Sequence, residues 1–426
     1  MFSFFKKPLA SLACRSKELL RLSAKVKAYR QDVMSEEALG SLEASEKRLS
    51  TILETKPSYV ALMEAYKGLD LILKRCGGKV YPVSFLAENV EMLFVAAIIA
   101  LGVRTFFFQP FKIPTNSMYP TYAGFLPKVY NVDEAKPNAF QRLVRKLSLG
   151  ATYYDIQAPE AGSLSIALFS ANERARFQSW AYYKLVKGRK YFGLVPELQR
   201  EYCLFVGDRP LYIRTPEDFS LDAVLLKAYF PESKSFQEVL KSRPVSYNNK
   251  TLPTKLDTHL HVSTGQSCLS FEIQSGDMLF VNRMAYHFKS PKLGDPIVFR
   301  TGSLEAMHAL LGFREDKYYI KRLVGLEGDR LQIKPPLLYR NHKPIEGASA
   351  FESNAKQLAP YEGYQDYGTF RHGEIQTVPQ GFIYAMGDNS SHSFDSRYWG
   401  PVPKKELIGK ASFVFYPFSA RWGQAR

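Results

Sequence analysis

The stretch Tyr318-Tyr319-Ile320-Lys321-Arg322-Leu323-Val324-Gly325-Leu326 places a lysine within a run of aromatic and β-branched residues. Such a run is typical of a largely buried strand. A lysine in a buried strand either extends its amine to water or loses its charge, because desolvation lowers the pKa of the ammonium group. A neutral lysine can act as a general base. Lys321 is therefore a candidate catalytic residue, and it needs a nucleophile.

A candidate nucleophile lies far upstream, in Ile113-Pro114-Thr115-Asn116-Ser117-Met118-Tyr119-Pro120-Thr121. Ser117 stands there in a turn between two prolines. A serine and a neutral lysine within reach of each other support nucleophilic catalysis without a histidine. Taken alone, each residue has a simpler explanation: Ser117 as a solvated turn residue, and Lys321 as an edge-strand residue that reaches water.

The composition is that of a folded, basic protein. The chain has 426 residues, 46% of them hydrophobic, and a formal net charge of +16. Its length allows two or three domains, each with its own core. The sequence contains no zinc-ligand spacing, RNP-like motif or Lys/Arg-rich block. We therefore expect no nucleic-acid partner, no metal site and no cofactor, and we interpret the charge as attraction to anionic lipid.

Residues 1–80 have a helical pattern with no strand signal. Ser35, followed by Glu36 and Glu37, is a plausible N-cap with an acidic first turn. We expect two or three antiparallel helices that form a packing or docking module on the cytoplasmic side.

Residues 83–108 form the candidate transmembrane helix. The uncharged centre, Met92 to Val103, is short for a span. The full stretch is long enough and places Glu88, Glu91 and Arg104 near its ends, where charges are tolerated. A buried core helix is the alternative.

The flanks of this segment predict its orientation. Lys67, Lys74, Arg75 and Lys79 crowd the N-terminal flank, which predicts that this side is cytoplasmic. The apolar run begins too late for a cleavable signal peptide, so we expect the anchor to be retained. Two cysteines beyond it, Cys203 and Cys268, either pair in an oxidising compartment or remain free thiols.

Residues 124–270 indicate an α+β insert without a catalytic motif. We expect a helix over residues 171–187, with Trp180, Tyr183 and Val186 on one side, and a second helix through residues 224–226 that Thr215 to Asp218 would cap. Strands are expected at residues 202–206 and 211–214. After Ser275 the pattern becomes β-rich, with strands expected at residues 277–283, 295–300, 317–325, 330–334, 382–386 and 411–416. Residues 329–386 otherwise suggest a Tyr- and Gly-rich loop.

Four blocks of the sequence, in order, resemble the bacterial type I signal peptidases (leader peptidases of the serine–lysine dyad family). They are Gln109 to Thr121, Gly294 to Arg300, Tyr319 to Asp329, and Met386 to Asn389 followed by Ser393 to Val402. The resemblance implies a mainly β catalytic domain of antiparallel sheets, formed by residues 109–123 and 271–426. The transmembrane helix, the N-terminal helical region and the α+β insert would be additions to that domain.

The resemblance also implies an activity and a set of site residues. It implies a membrane-anchored serine endopeptidase of the inner (cytoplasmic) membrane, with its catalytic domain on the outer side. Its partners would be secreted preproteins, cut after small residues, and the lipid bilayer; the secretion translocase is a further candidate. The implied roles are Ser117 as nucleophile, Lys321 as general base, Thr115 in the oxyanion hole, Ser393 orienting the lysine, Asp395 and Arg397 holding its loop, Asp388 capping that loop's first turn, and Ile113, Pro114 and Met118 as pocket walls.

Two features depart from the family pattern. Ser390-Ser391-His392 replaces the usual Arg-Asp-Asn, which alters one charged contact of the last block. His392 with Asp395 could suggest a histidine triad, but Lys321 already fills the position of the base. The family usually joins the first two blocks by a few residues, so the long insert is the second departure.

Two other functions remain as alternatives. A self-cleaving repressor uses the same dyad, but a candidate membrane span, rather than DNA-binding helices, precedes Ser117. An anchored scaffold with a vestigial protease core is the non-enzymatic alternative. Retention of Thr115, Ser117, Lys321 and Ser393 argues against such decay.

Overall fold

The computed structural model describes residues 6–55, 58–82, 85–131, 134–170, 179–190, 195–243, 245 and 254–425. The chain divides into two compact units, Met1–Gly102 and Val103–Arg426. The described part of the first unit is helical, and that of the second is mainly strand. This division agrees with the predicted fold class.

Three helices open the first unit: α1 (Lys6–Arg30), α2 (Glu36–Glu54) and α3 (Tyr59–Cys76). The side chain of Ser35 accepts a hydrogen bond from the backbone N–H of Ala38, so the predicted N-cap is confirmed. The buried faces of these helices meet in one leucine-rich core. Their stability therefore comes from packing of apolar faces rather than from helix propensity alone.

A fourth helix, α4 (Phe85–Phe106), carries the candidate membrane segment. Its stretch Glu88–Phe106, 19 residues long, is apolar enough to cross a membrane, and none of it is buried. A core helix of this composition would be mostly buried, so exposure of the apolar side chains favours the membrane interpretation. Val83 and Ser84, at the start of the predicted span, lie outside the described residues.

The second unit contains short helices and many strands. The helices are α5 (Ala139–Leu149), α6 (Asp222–Tyr229), α7 (Phe236–Ser242), α8 (Ala285–Phe288), α9 (Glu305–Leu311), α10 (Ser349–Ala355) and α11 (Ser396–Trp399). The strands are β1 (Phe108–Lys112), β2 (Leu126–Val129), β3 (Thr152–Gln157), β4 (Gly162–Leu168), β5 (Tyr183–Lys190), β6 (Val195–Val206), β7 (Arg209–Pro216), β8 (Thr254–Val262), β9 (Ser267–Gln274), β10 (Met278–Asn282), β11 (Pro296–Arg300), β12 (Tyr318–Gly325), β13 (Arg330–Lys334), β14 (Leu337–Arg340), β15 (Lys343–Pro344), β16 (Ile375–Thr377), β17 (Phe382–Met386), β18 (Val402–Pro403), β19 (Leu407–Tyr416) and β20 (Gly423–Gln424).

The main sheet is antiparallel and strongly curled. Its strands run in the order β1-β10-β19-β11-β12-β17-β18, and β20 pairs with β19. The curl brings β1, at one edge, close to the start of β12, where the rings of Phe111 and Tyr318 meet edge-on at 5.0 Å. The strands predicted after Ser275 are confirmed, because their alternating apolar residues face a core.

The insert consists of two smaller sheets around one core. One has the order β2-β9-β3, and the other has β5-β6-β4-β8 with β7 on β6. A single apolar cluster, which includes Leu204 and Phe271, joins them to α6 and α7. β2 follows the turn after β1, and β9 precedes β10, so these two strands connect the insert to the main sheet.

The helix predicted over residues 171–187 is wrong where the structure describes it. Tyr183 and Val186 lie in β5, which pairs with β6 from Tyr183↔Tyr202 to Lys190↔Val195. Aromatic and β-branched residues favour strands when a partner strand is available, and sequence spacing does not reveal that partner. Residues 171–178 lie outside the described residues.

Two further predictions for this unit need correction. The helix through residues 224–226 exists, but it begins at Asp222, because Thr215 and Pro216 end β7. The stretch after Asp329 is more than a loop: β15-β14-β13-β16 form a separate sheet over a core that includes Leu331, Phe351 and Phe370. Cys203 and Cys268, whose pairing the sequence leaves open, are both free thiols.

Candidate active site

Ser117 and Lys321 lie next to each other at the edge of the curled sheet. Ser117 lies in the turn after β1, and Lys321 lies in β12, opposite Ile297 of β11. The exposed fraction is 7% for Ser117 and 3% for Lys321. Lys321 Nζ donates a hydrogen bond to Ser117 Oγ at 2.5 Å. Two residues far apart in sequence thus lie at a distance suited to proton transfer.

The turn that carries Ser117 is fixed by its neighbours. The Asn116 side chain accepts from Gly124 N–H at 2.8 Å and donates to the Phe125 carbonyl at 3.0 Å. Ile113 N–H donates to the Asp277 carbonyl at 2.9 Å. These contacts hold both ends of the turn, so the hydroxyl is positioned before substrate arrives.

Burial shifts the protonation of Lys321. Desolvation lowers the pKa of its ammonium group to about 8, an effect that Arg397 reinforces and that Asp395 and Asp388 oppose. The opposition is limited because each of these carboxylates already has an arginine partner. Lys321 is therefore largely neutral at mildly alkaline pH, as a general base must be.

The first of these buried ion pairs joins Arg322 and Asp388. Arg322 Nε and Nη2 donate to the two Asp388 oxygens at 2.7 and 2.6 Å. Asp388 also accepts from Thr121 Oγ1 at 2.6 Å. The pair thus connects the strand of Lys321 to the turn of Ser117. The sequence prediction that Asp388 caps a turn is wrong, because the short helix after it, Ser390–His392, has Asn389 at its N-cap and no side-chain cap.

The second buried ion pair joins Asp395 and Arg397, at 2.8 Å between Oδ2 and Nη2. Burial alone would raise the pKa of the Asp395 carboxyl, but Arg397 outweighs it and the pKa is lowered. Arg397 also donates to the Ser390 carbonyl at 2.7 Å and to Ser390 Oγ at 2.8 Å. Ser390, one of the residues that departs from the family pattern, is therefore held by the same arginine.

Ser393 lies close to the dyad without a bond to the lysine. A Cβ added to Gly387 would collide with both Ser393 Oγ and the Ser117 carbonyl oxygen, so only glycine fits between them. Within the described ranges, no hydrogen bond joins Ser393 to Lys321, whose amine bonds to Ser117. The role of Ser393 in orienting the lysine stays a prediction.

A cavity of about 1090 Å³ opens over the dyad. Ile113 and Pro114 line it together with Thr115, whose side chain is exposed. Met118, also predicted as a pocket wall, is 0% exposed and packs in the core below. The prediction of Met118 as a pocket wall is therefore not met, because its side chain packs in that core and does not line the cavity.

Two strand edges flank the dyad. β1 pairs with β10 along one side, and β12 pairs with β11 along one side. β17 pairs only with the later part of β12, from Arg322 onward. In the described part of the chain, the other edges of residues 108–111 and 318–321 have no partner strand. Such edges can accept an extended peptide.

Sequence reasoning missed two features of this site. The sequence assigns Arg322 to a buried strand but indicates no role for it, although a buried arginine needs a carboxylate partner. The insert was given no site residue, yet Tyr183, Leu185 and Arg200 line the cavity. For Arg322 the signal was its position beside Lys321, since two adjacent charged residues in an apolar strand are unusual. No sequence signal indicated that the insert reaches the cavity.

Known proteins match the catalytic part of the chain. The family model described as signal peptidase, peptidase S26, matches residues 86–146 and 262–416, which together make up about half of the chain. Residues 147–261, within the insert, are unmatched. The four sequence blocks that carried the resemblance fall inside the matched ranges.

Individual relatives agree with the family match. A probable signal peptidase I-1 of Synechocystis sp. is 32% identical over 152 residues, 36% of this chain and 68% of the relative. Signal peptidase I of Bacillus caldolyticus is 32% identical over 165 residues, 37% of this chain and 79% of the relative. A thylakoidal processing peptidase of Arabidopsis thaliana is 26% identical over 145 residues, 34% of this chain and 38% of the relative.

Among solved structures, a crystal structure of a signal peptidase I from Enterococcus faecalis V583 matches with 28% identity. The match covers 29% of this chain and 97% of that chain, with a TM-score of 0.22. From its matched family model and these relatives, the chain belongs to the signal peptidase family, peptidase S26, whose members are serine endopeptidases.

Proposed function

We propose that this protein removes N-terminal signal peptides from secreted preproteins, with Ser117 as nucleophile and neutral Lys321 as general base. The observation that carries the proposal is the 2.5 Å hydrogen bond between Lys321 Nζ and Ser117 Oγ in a buried site. Membership of the signal peptidase family supports the substrate class.

The proposed reaction uses the dyad, the Ser117 backbone N–H, the Thr115 hydroxyl and water. The neutral amine of Lys321 takes the Ser117 hydroxyl proton as Oγ bonds to the scissile carbonyl carbon. The carbonyl oxygen becomes an oxyanion, which the Ser117 N–H and the Thr115 hydroxyl would stabilise; such a donor contributes about 3 kcal/mol. Collapse breaks the C–N bond, and the Lys321 ammonium protonates the leaving amine. Water, deprotonated by Lys321, then hydrolyses the acyl-enzyme.

The support of the dyad is assigned to the two buried ion pairs and Ser393. Asp388 with Arg322 connects the two catalytic segments, and Asp395 with Arg397 holds the last loop. These groups act on Lys321 and Ser117 rather than on substrate. The side chains of both pairs are only 0–2% exposed. Removal of one partner would leave a buried, unpaired charge, so each pair is expected to be needed for the stability of the site.

Substrate would bind as an extended strand against the free edges near Phe111 and Tyr318. Ile113 and Pro114 would bound the pockets for alternate side chains, and the closeness of the two edges favours small residues. Incubation of the full chain with a preprotein that carries alanine at the first and third positions before the cut should give cleavage at that one bond, into a signal peptide and a mature fragment.

Mass spectrometry of the mature fragment checks this specificity. Replacement of the first-position alanine by a bulky residue, such as phenylalanine, should reduce kcat/KM about 100-fold, because the side chain no longer fits. Equal cleavage of both substrates would contradict the proposed pockets.

We assign the domains accordingly. Residues 1–80 would form a cytoplasmic helical region, and residues 109–123 with 271–426 the catalytic domain on the outer side of the cytoplasmic membrane. The transmembrane anchor, predicted to reach Phe108, would be α4, which ends at Phe106 because Phe108 begins β1. The basic residues that precede the anchor support this orientation. Preproteins leave the secretion translocase on that side of the membrane, so the translocase is a candidate partner of this protein.

The exposed apolar face of helix α5 supports the proposal that the catalytic domain contacts the bilayer. Phe140, Leu143 and Leu147 share one face, with exposed fractions of 73%, 53% and 67%. The opposite, polar face attaches the helix: Arg145 donates two hydrogen bonds of 2.7 Å to buried Glu272. The helix thus presents its apolar face outward and contains basic but no acidic residues, as a helix lying in an anionic membrane surface does.

This placement can be measured by fluorescence. In full chain reconstituted into anionic liposomes, a tryptophan introduced by Phe140→Trp should be quenched by brominated lipid tails. Tyr212→Trp in the insert, at a position with an exposed fraction of 58%, is the matched control and should be unaffected. Equal quenching at both positions, or none at Phe140→Trp, would exclude contact of α5 with the bilayer.

A further inference from the structure

The cavity over the dyad has a second wall made by the insert. Tyr183 and Leu185 of β5, Arg200 of β6, and Asp218 and Ser220 after β7 all line the same cavity as Ser117 and Lys321. All these residues fall within 147–261, the stretch that the signal peptidase family model leaves unmatched. The wall is therefore a feature of this chain rather than of the matched catalytic part.

The insert wall offers one exposed apolar side chain beside its polar residues. Leu185, which is not part of the insert core, has an exposed fraction of 53% and lines the cavity. Leu310 and Phe313, at the end of α9 and just after it, are 58% and 57% exposed and line the same cavity. Exposed apolar residues from the insert and from the matched part of the chain in one cavity indicate a binding surface rather than scattered surface positions.

The wall is also fixed in place. β5 pairs with β6 along its whole length. Tyr183 packs against the ring of Tyr202 at 5.4 Å, and the Arg200 guanidinium lies over the Tyr183 ring at 4.5 Å. A preformed wall costs little ordering entropy when a ligand binds.

The size of the cleft exceeds the need of the scissile residues. A volume of about 1090 Å³ is as large as a complete small-molecule pocket, which typically measures ~300–1,000 Å³. Two shallow pockets for small side chains occupy only part of it. Leu185, Leu310 and Phe313 line the same cavity as the dyad.

We propose that the insert is a substrate-binding wall, on which Leu185, beside Tyr183, contacts apolar residues of the peptide that lie beyond the residues next to the scissile bond. The occupant is the substrate itself, because the apolar surface and the dyad share one cavity. The inference rests on the proposed signal-peptide cleavage and adds a specificity element to it.

The test compares two variants on two substrates, using the full chain. Leu185→Asp places a charge on the wall, and Leu198→Asp is the matched control on the neighbouring strand β6, with an exposed fraction of 43% and outside the cavity lining. The substrates are a complete preprotein and a short peptide that contains only the residues next to the scissile bond. Leu185→Asp should lower kcat/KM for the preprotein about tenfold, mainly through KM, and leave the short peptide unchanged. Leu198→Asp should resemble the wild type on both.

Any other outcome of this experiment contradicts the proposed wall or the proposed cleavage activity. Wild-type values for Leu185→Asp on the preprotein, or an equal loss with Leu198→Asp, would overturn the proposed wall while cleavage itself stands. An equal loss on both substrates would assign Leu185 to the fold, and a lowered Tm would accompany it. If the wild type cleaves neither substrate, or Ser117→Ala cleaves both, the signal-peptidase proposal fails and the wall fails with it.

Discussion

Replacement of Lys321 by methionine should abolish cleavage and stabilise the fold. Methionine fills a similar volume but cannot accept the Ser117 proton, so kcat should fall at least about 10⁴-fold, as for other members of catalytic units. The amine donates its hydrogen bond to Ser117 and lies over the Tyr319 ring at 5.5 Å, and the backbone pairing of β12 does not involve it. The measurement is single-turnover cleavage of a preprotein.

The stability gain follows from the pKa of Lys321. Burial lowers it from 10.5 to about 8. Between these pH values the unfolded chain binds the proton and the folded chain does not, so wild-type stability rises with pH across this window. Below about pH 8 the buried charge costs up to about 3 kcal/mol, which Lys321→Met removes. A lower Tm for the variant at pH 7 would contradict this account.

Lys321→Arg is the matched control for charge. Arginine keeps a positive group at the site but cannot deprotonate in a protein. It should be as inactive as Lys321→Met without the gain in stability, because its charge is retained in the buried position. Retention of more than a tenth of wild-type activity by either variant would show that the general base is another group.

Ser117→Ala should remove catalysis by about 10⁶-fold in kcat, the size seen when a nucleophile is removed from a serine protease. The substitution deletes one oxygen at a position with an exposed fraction of 7% and leaves the turn, held through Asn116, in place. Substrate should still bind. The measurement is cleavage activity together with KM or competition binding.

Ser412→Ala provides the matched control. Ser412 lies in β19 of the same sheet, where its hydroxyl donates to the Phe280 carbonyl at 2.8 Å. Loss of that bond should change stability slightly and activity hardly at all. If Ser117→Ala cleaved the preprotein at a rate comparable to that of the wild type, the nucleophile would be another residue.

The contact between Ser117 and Lys321 agrees with the pairing that the sequence predicted. A lysine inside an apolar strand and a serine between prolines are visible without any tertiary information, but the family resemblance of the blocks around them was needed to pair the two residues. The β-rich segments after Ser275 carried alternating patterns, and their strands formed as predicted.

The parts that the sequence could not predict depend on tertiary contacts. β5 has residues that suit a helix or a strand, and only pairing with β6 decides between them. The sheet formed by β13–β16 consists of short strands that are stable only together. Leu185 reaches the cavity of Ser117 through the fold of a whole insert, and no spacing in the sequence encodes that approach.

The pH dependence of cleavage tests the central claim, that neutral Lys321 is the base, most directly. Because only the neutral amine can accept the Ser117 proton, kcat/KM for wild-type protein should rise with pH and level off, with an apparent pKa near 8. A rate that still rises past pH 10, as an unperturbed lysine would give, would contradict the account, and so would a rate already at its plateau at pH 6.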